Sequence, residues 1–199
     1  MVDDGEDGTE VGAADGSHGR DEVDGIDRWL AEMRVDDASR ARARTSWLAR
    51  QAHEEATLAG VLTDLAERDR PVVLTVRGGV RHRGAILLVG TDFCALRTPT
   101  GADVLVAFSA IASVRPQPGE AAVTGDRAPV STSTLGEALA GLVGTGRRVR
   151  VLVNGCADSL VGELRAVGRD VVAVRLDGPA GTAYVPLASL AEVSVTESG

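Results

Sequence analysis

Two stretches of this chain alternate apolar and polar positions with a period of two, and they do so in the same way. Val72, Leu74 and Val76 alternate with Val73, Thr75 and Arg77, and Val149, Val151 and Val153 alternate with Arg150, Leu152 and Asn154. Such a period buries one face of a strand and leaves the other wet. The correspondence continues. Ile86 and Leu88 match Leu164 and Ala166, Cys94 and Leu96 match Val172 and Val174, and Val104, Val106 and Phe108 match Ala183, Val185 and Leu187. The punctuation matches too. Gly78 pairs with Gly155 at an offset of 77 residues. Gly84, Gly90, Asp92 and Arg97 pair with Gly162, Gly168, Asp170 and Arg175 at 78, and Val106 and Val114 pair with Val185 and Val193 at 79. An offset that grows by one at each expected loop marks an internal repeat. The pattern predicts five short strands in Val72–Arg115 and five more in Val149–Val195. Neither face of so small a sheet is coverable unless it bends on itself, so each copy is expected to close as a five-stranded barrel. Pro186 lacks a ladder donor and marks a bulge or an edge.

Helical spacing precedes each copy. Leu48, Ala52, Leu58, Val61, Leu62 and Leu65 predict a helix over about 45–68, stopped before Pro71. Leu135, Leu139 and Leu142 predict another, ended by Gly144 and Gly146. The expected fold is therefore mainly β with helices: two tandem five-stranded barrels, each preceded by a helix. Ile26, Trp29, Leu30 and Met33 fall on one helical stripe near the N-terminus. That stripe is either packed on the barrels or a docking element for a partner's groove. The implied organisation is a disordered tail over 1–22, an amphipathic segment and connector over 23–44, and a helix plus first barrel over 45–116. A linker over 117–130 and a helix plus second barrel over 131–199 follow.

Charge sharpens the picture at the N-terminus. The whole chain carries a net charge of −8, and residues 1–28 alone, with ten acidic residues and two arginines, account for all of it. A Gly-rich acidic leader with little to bury is expected to be disordered. The chain contains arginine but no lysine, and only 3% aromatic residues, so its cores must be filled by Val, Leu, Ala and Ile. No signal peptide or apolar run long enough for a membrane span is legible, and a cytoplasmic location with no membrane partner is the expectation.

The strand blocks resemble a known family. Gly84-Ala-Ile-Leu-Leu-Val-Gly-Thr-Asp92-Phe-Cys-Ala-Leu, followed by Val104-Leu-Val-Ala-Phe-Ser-Ala-Ile-Ala-Ser-Val-Arg115, resembles the two strand blocks of Sm-like (Hfq-type) proteins. The second copy, ending Tyr184-Val-Pro-Leu-Ala-Ser-Leu-Ala-Glu-Val193, is also similar to the Sm-like C-terminal barrel of the bacterial ribosome-maturation factor. The resemblance implies Sm-like barrels, RNA or ribonucleoprotein association, and homo-oligomers formed through ring or edge-strand contacts. The chain departs from the family at its RNA site. Cys94 and Val172 stand where Sm-like proteins place an Asn, and Ala107-Phe108 and Pro186-Leu187 stand where they carry Arg-Gly.

What remains for nucleic acid is charge. Arg77, Arg81, Arg83, Arg97 and Arg115 face only Asp92 and Asp103 within the first copy, a net of +3. Arg77, Arg81, Arg83 and Arg97 are the candidate phosphate contacts, of a kind that positions a polyanion without reading its sequence. No catalytic residue, metal site or cofactor is predicted. Cys94 and Cys156 stand apart without Cys-x-x-Cys spacing, and His53 and His82 lack ligand spacing. Asp92 and Asp170 follow turn glycines and are expected to bond backbone N–H groups. Two functions from different classes stay open: a non-enzymatic RNA- or ribonucleoprotein-associated regulator, and a protein-interaction scaffold that binds no nucleic acid.

Overall fold

The computed structural model describes residues 18–120, 122–129 and 131–196; side chains are described from Arg28 onward, apart from 30–32, 36, 38, 49, 52, 53 and 196. The expected disordered tail therefore lies largely outside the described residues. Two units divide at Leu48/Ala49. The first is mostly helix α1 (His18–Glu54), which begins inside the stretch expected to be disordered and continues well past the predicted amphipathic segment. The helix expected over 45–68 is two helices, because α1 ends at Glu54 and α2 (Leu58–Glu67) begins anew. Thr57 starts α2 by accepting a 2.9 Å hydrogen bond from Gly60 N, which satisfies one orphan donor of the first turn.

The second unit is built on ten strands: β1 (Val72–Val76), β2 (Arg81–Val89), β3 (Phe93–Arg97), β4 (Asp103–Ala107), β5 (Ile111–Arg115), β6 (Arg148–Val153), β7 (Ser159–Val167), β8 (Val171–Leu176), β9 (Thr182–Pro186) and β10 (Leu190–Thr196). They form one antiparallel sheet in the order β5-β1-β2-β3-β4-β10-β6-β7-β8-β9. This corrects the expected fold. The copies are not two closed five-stranded barrels; they share a single open sheet. The cause is the pairing of β4 with β10, with Val106 opposite Glu192, Leu105 opposite Val193, Val104 opposite Ser194 and Asp103 opposite Val195. The outer edge of the first copy is taken by the last strand of the second. Val104 to Ala107 are all buried, so this strand is covered on both faces and reads as a continuous apolar run.

Within that sheet several backbone bonds recur in both copies. The β2–β3 and β7–β8 turns are closed by Gly90 N to Phe93 O and by Gly168 N to Val171 O. Phe108 N donates to Asp92 O, and Leu187 N donates to Asp170 O, both at 2.8 Å. A Cβ on Gly84 would lie 2.2 Å from Arg97 O, and one on Gly162 would lie 2.0 Å from Arg175 O, so both strands cross a neighbour too closely for any side chain. Register shifts fall at Ile86/Leu88 and at Leu164/Ala166. These bulges reverse the expected alternation, leaving Leu88 and Ala166 exposed and turning Val89 inward. Cys94, Leu96, Val172 and Val174 are buried as expected. Helix α2 packs on β2, and helix α3 (Leu135–Ala140) packs on β7. Thr134 and Glu137 form a reciprocal capping box at the start of α3.

Candidate functional site

The sheet register divides the predicted phosphate contacts into two groups. Arg81 and Arg83 are two residues apart on β2 and share one face, opposite Thr75 and Val73 of β1. Across β1, Val73 is also opposite Arg115 of β5. Arg83, Val73 and Arg115 thus form one row across three strands, with Arg81 one step along. All three arginines are exposed, and no ion pair engages them among the described residues. Arg77 follows β1, also exposed, with its N–H held by Ala110 O. Arg97 does not join them. On β3 it makes two hydrogen bonds to the Asp103 carboxylate, at 2.8 and 3.0 Å. Arg115 entered the sequence reading only in the charge balance. Its place beside Arg83 depends on β1 lying between β2 and β5, which no local pattern specifies.

In the second copy the equivalent row is Val161, Arg150 and Ser194, with a single arginine at its centre. By the repeat offsets, the positions of Arg77, Arg81, Arg83 and Arg115 are held there by Asn154, Ser159, Val161 and Ser194. The fold therefore does not require arginine at any of the four. It does use paired arginine elsewhere in both copies: Arg97 with Asp103 in the first, and Arg175 with Glu163 (2.5 Å) and Arg148 with Asp177 in the second.

Of the predicted docking stripe, Trp29 and Met33 are exposed on α1, whereas the side chains of Ile26 and Leu30 lie outside the described residues. Trp47 and Leu48 are exposed further along the same helix.

Cys94 and Asp92 are taken up by the fold itself. Burial pushes the Cys94 thiol up to about 12, so it stays a neutral, inert core residue at ordinary pH. Cys156 is exposed on a turn. Asp92 uses Oδ1 to accept a 2.7 Å hydrogen bond from Leu135 N, which ties the start of α3 to the first copy. An open cleft of about 720 Å³ lies here, with Asp92, Phe108, Leu135, Glu137, Arg169 and Leu187 on its walls. Its two carboxylates are both committed to the first turn of α3. His82 Nε2 lies 2.5 Å from Glu192 Oε2, with both side chains largely buried. No cluster of three metal-capable side chains occurs among the described residues, and no described helix is long and apolar enough to cross a membrane. No family model and no curated protein matches the chain.

Proposed function

We propose that the protein binds a polyanion, with RNA or a ribonucleoprotein as the class of ligand, through the arginine face of β2, β1 and β5, and that it is not an enzyme. One observation carries this reading. Among the described residues Arg77, Arg81, Arg83 and Arg115 make no ion pair and stand together on one copy, while the equivalent positions of the other copy are neutral and its matching row carries Arg150 alone. Charge that the fold does not need is charge available to a ligand. Exposed guanidinium groups on a sheet surface contact phosphate oxygens and read no bases, so the binding is sequence-tolerant and falls steeply with salt. Arg97, neutralised by Asp103, contributes little.

The test uses the chain's own alternatives. The triple variant Arg81→Ser, Arg83→Val, Arg115→Ser installs the residues of the second copy. Retention of unstructured single-stranded RNA is measured for both proteins from low to physiological salt. Each lost phosphate contact removes about 0.7 from the slope of log affinity against log salt, so the variant should lose roughly 2. Absence of retention by the wild type at low salt, or a slope unchanged in the variant, would overturn the reading.

A further inference from the structure

The repeat makes this chain an assembly unit with two unsatisfied ends. Within one chain, β4 of the first copy pairs with β10, the last strand of the second. By the repeat, β9 is the equivalent of β4, and β5 is the equivalent of β10. These two strands are the bare edges of the ten-stranded sheet. Each chain thus contains one completed junction and both halves of another. We propose that β5 of one chain adds to β9 of a second copy of this chain, in the register of the internal junction.

The register transfers residue by residue. The internal pairs are Glu192–Val106, Val193–Leu105, Ser194–Val104 and Val195–Asp103. Shifting each by the repeat offset of 79 gives Ser113–Val185, Val114–Tyr184, Arg115–Ala183 and Pro116–Thr182 between chains. The internal junction covers what the free ends leave bare. Leu105 is 8% exposed, whereas its counterpart Tyr184 is 73% exposed. Ala191 and Glu192 are buried, whereas Ala112 and Ser113 are exposed. Strand edges left alone are usually blunted by charge or proline. Thr182–Pro186 carries no charge, and it carries the chain's one tyrosine. Its proline does not block the ladder, because Pro186 corresponds to Ala107, one residue outside the internal register. Pro116 falls at the last pair. The two prolines bound three full pairs and disfavour a slipped register.

A second contact repeats the same asymmetry away from the ladder. In the internal junction the turn at 91–92 grips the segment before α3: Thr91 N donates to Ser133 O, and Leu135 N donates to Asp92 Oδ1. The counterparts at the free ends are Arg169 and Asp170 on one side, and Ala56 and Leu58 on the other. Asp170 is exposed, and no hydrogen bond engages its carboxylate among the described residues. Leu135 is 4% exposed, but Leu58 is 38% exposed. The next chain's Asp170 would meet Leu58 N and cover the leucine. The join also carries no charge penalty. His82 and Glu192, buried together at the internal junction, are replaced at the outer one by Leu160 and Ser113. Because the two surfaces differ, the contact is heterologous and repeats from chain to chain, closing a ring if the rotation permits.

The test measures solution mass of the full chain by light scattering and sedimentation over a wide concentration range. The wild type should exceed the mass of one chain. Tyr184→Arg, at a site too exposed to disturb the core, and Asp170→Ala should each weaken association at least tenfold with the thermal melt unchanged. Register is read by disulfide trapping in a Cys156→Ser background. Mixing a Val114→Cys chain with a Tyr184→Cys chain should yield a cross-linked pair, and neither chain alone should. A wild type of one-chain mass at all concentrations would overturn the proposal. So would an assembly indifferent to Tyr184→Arg, or cross-linking of Val114→Cys chains to themselves, since each places the contact elsewhere.

Discussion

Among the described residues, His82 and Glu192 are the one place where the core departs from Val, Leu, Ala and Ile in a way that involves charge. His82 lies opposite Leu74 on β2, and Leu160 lies opposite Val151 at the same place on β7. Glu192 sits where the first copy has Ser113. The pair therefore joins the two copies, with its members supplied by different strands of the shared sheet. Removing one partner leaves the other buried and unsatisfied, whereas removing both leaves nothing to satisfy. His82→Leu alone should cost about 3 kcal/mol in denaturant unfolding. Adding Glu192→Ser, which recreates the residues of the outer positions, should restore most of that loss. A double-mutant cycle measures the coupling, and additive single effects would show that the 2.5 Å contact contributes nothing. The sequence marked His82 only as lacking ligand spacing and did not single out Glu192, since 110 positions separate them. Cys94 was easier to place, because its repeat partner is Val172 and only a core position accepts both.

At the scale of elements, the strands were legible and their edges were not. Period two located four strands of each copy, the fifth followed from the count and the matched Val114 and Val193, and the turn glycines fixed the spacing. The bulges after Ile86 and Leu164 were invisible, because a one-residue slip leaves composition unchanged while moving Leu88 and Ala166 to the outside. Helix α1 was under-read for the opposite reason. Arg, Ala and Asp over 35–44 form no apolar stripe, so the connector expected between the two helical stretches is helix that periodicity did not announce. Its described apolar side chains are left in solvent: Trp29 is 59% exposed and Trp47 is 57% exposed. These are the chain's two tryptophans, so intrinsic fluorescence reports on α1 alone. Emission should be red-shifted and fully open to acrylamide quenching, and Trp29→Ala should leave the thermal melt of the sheet unchanged. A blue-shifted, protected spectrum would mean that this helix docks on a surface.

The whole molecule differs from the expectation at a single junction, and that junction decides how it unfolds. Two closed barrels would be two folding units tied by a linker. One sheet in which β10 is hydrogen-bonded to β4 on one side and β6 on the other is a single unit. A hint of this was present in the sequence. Val104-Leu-Val-Ala107 is apolar without alternation, as a strand covered on both faces should be, whereas Thr182-Ala-Tyr-Val-Pro186 is not. The contrast distinguishes an internal strand from an edge, but only once the two segments are recognised as the same strand of a repeat. The shared sheet makes damage to one copy a property of both. Gly162→Ala forces a methyl group to within 2.0 Å of Arg175 O, so β7 and β8 must separate. Overpacking of this kind should cost about 3 kcal/mol. In a single cooperative sheet that loss appears as one unfolding transition at a lower midpoint, with the denaturant slope unchanged. Amide protection in β2 and β3, in the other copy, should fall in step with protection in β7 and β8. Two separated transitions, or exchange that quickens only in the second copy, would show that β4 and β10 are in contact without being coupled.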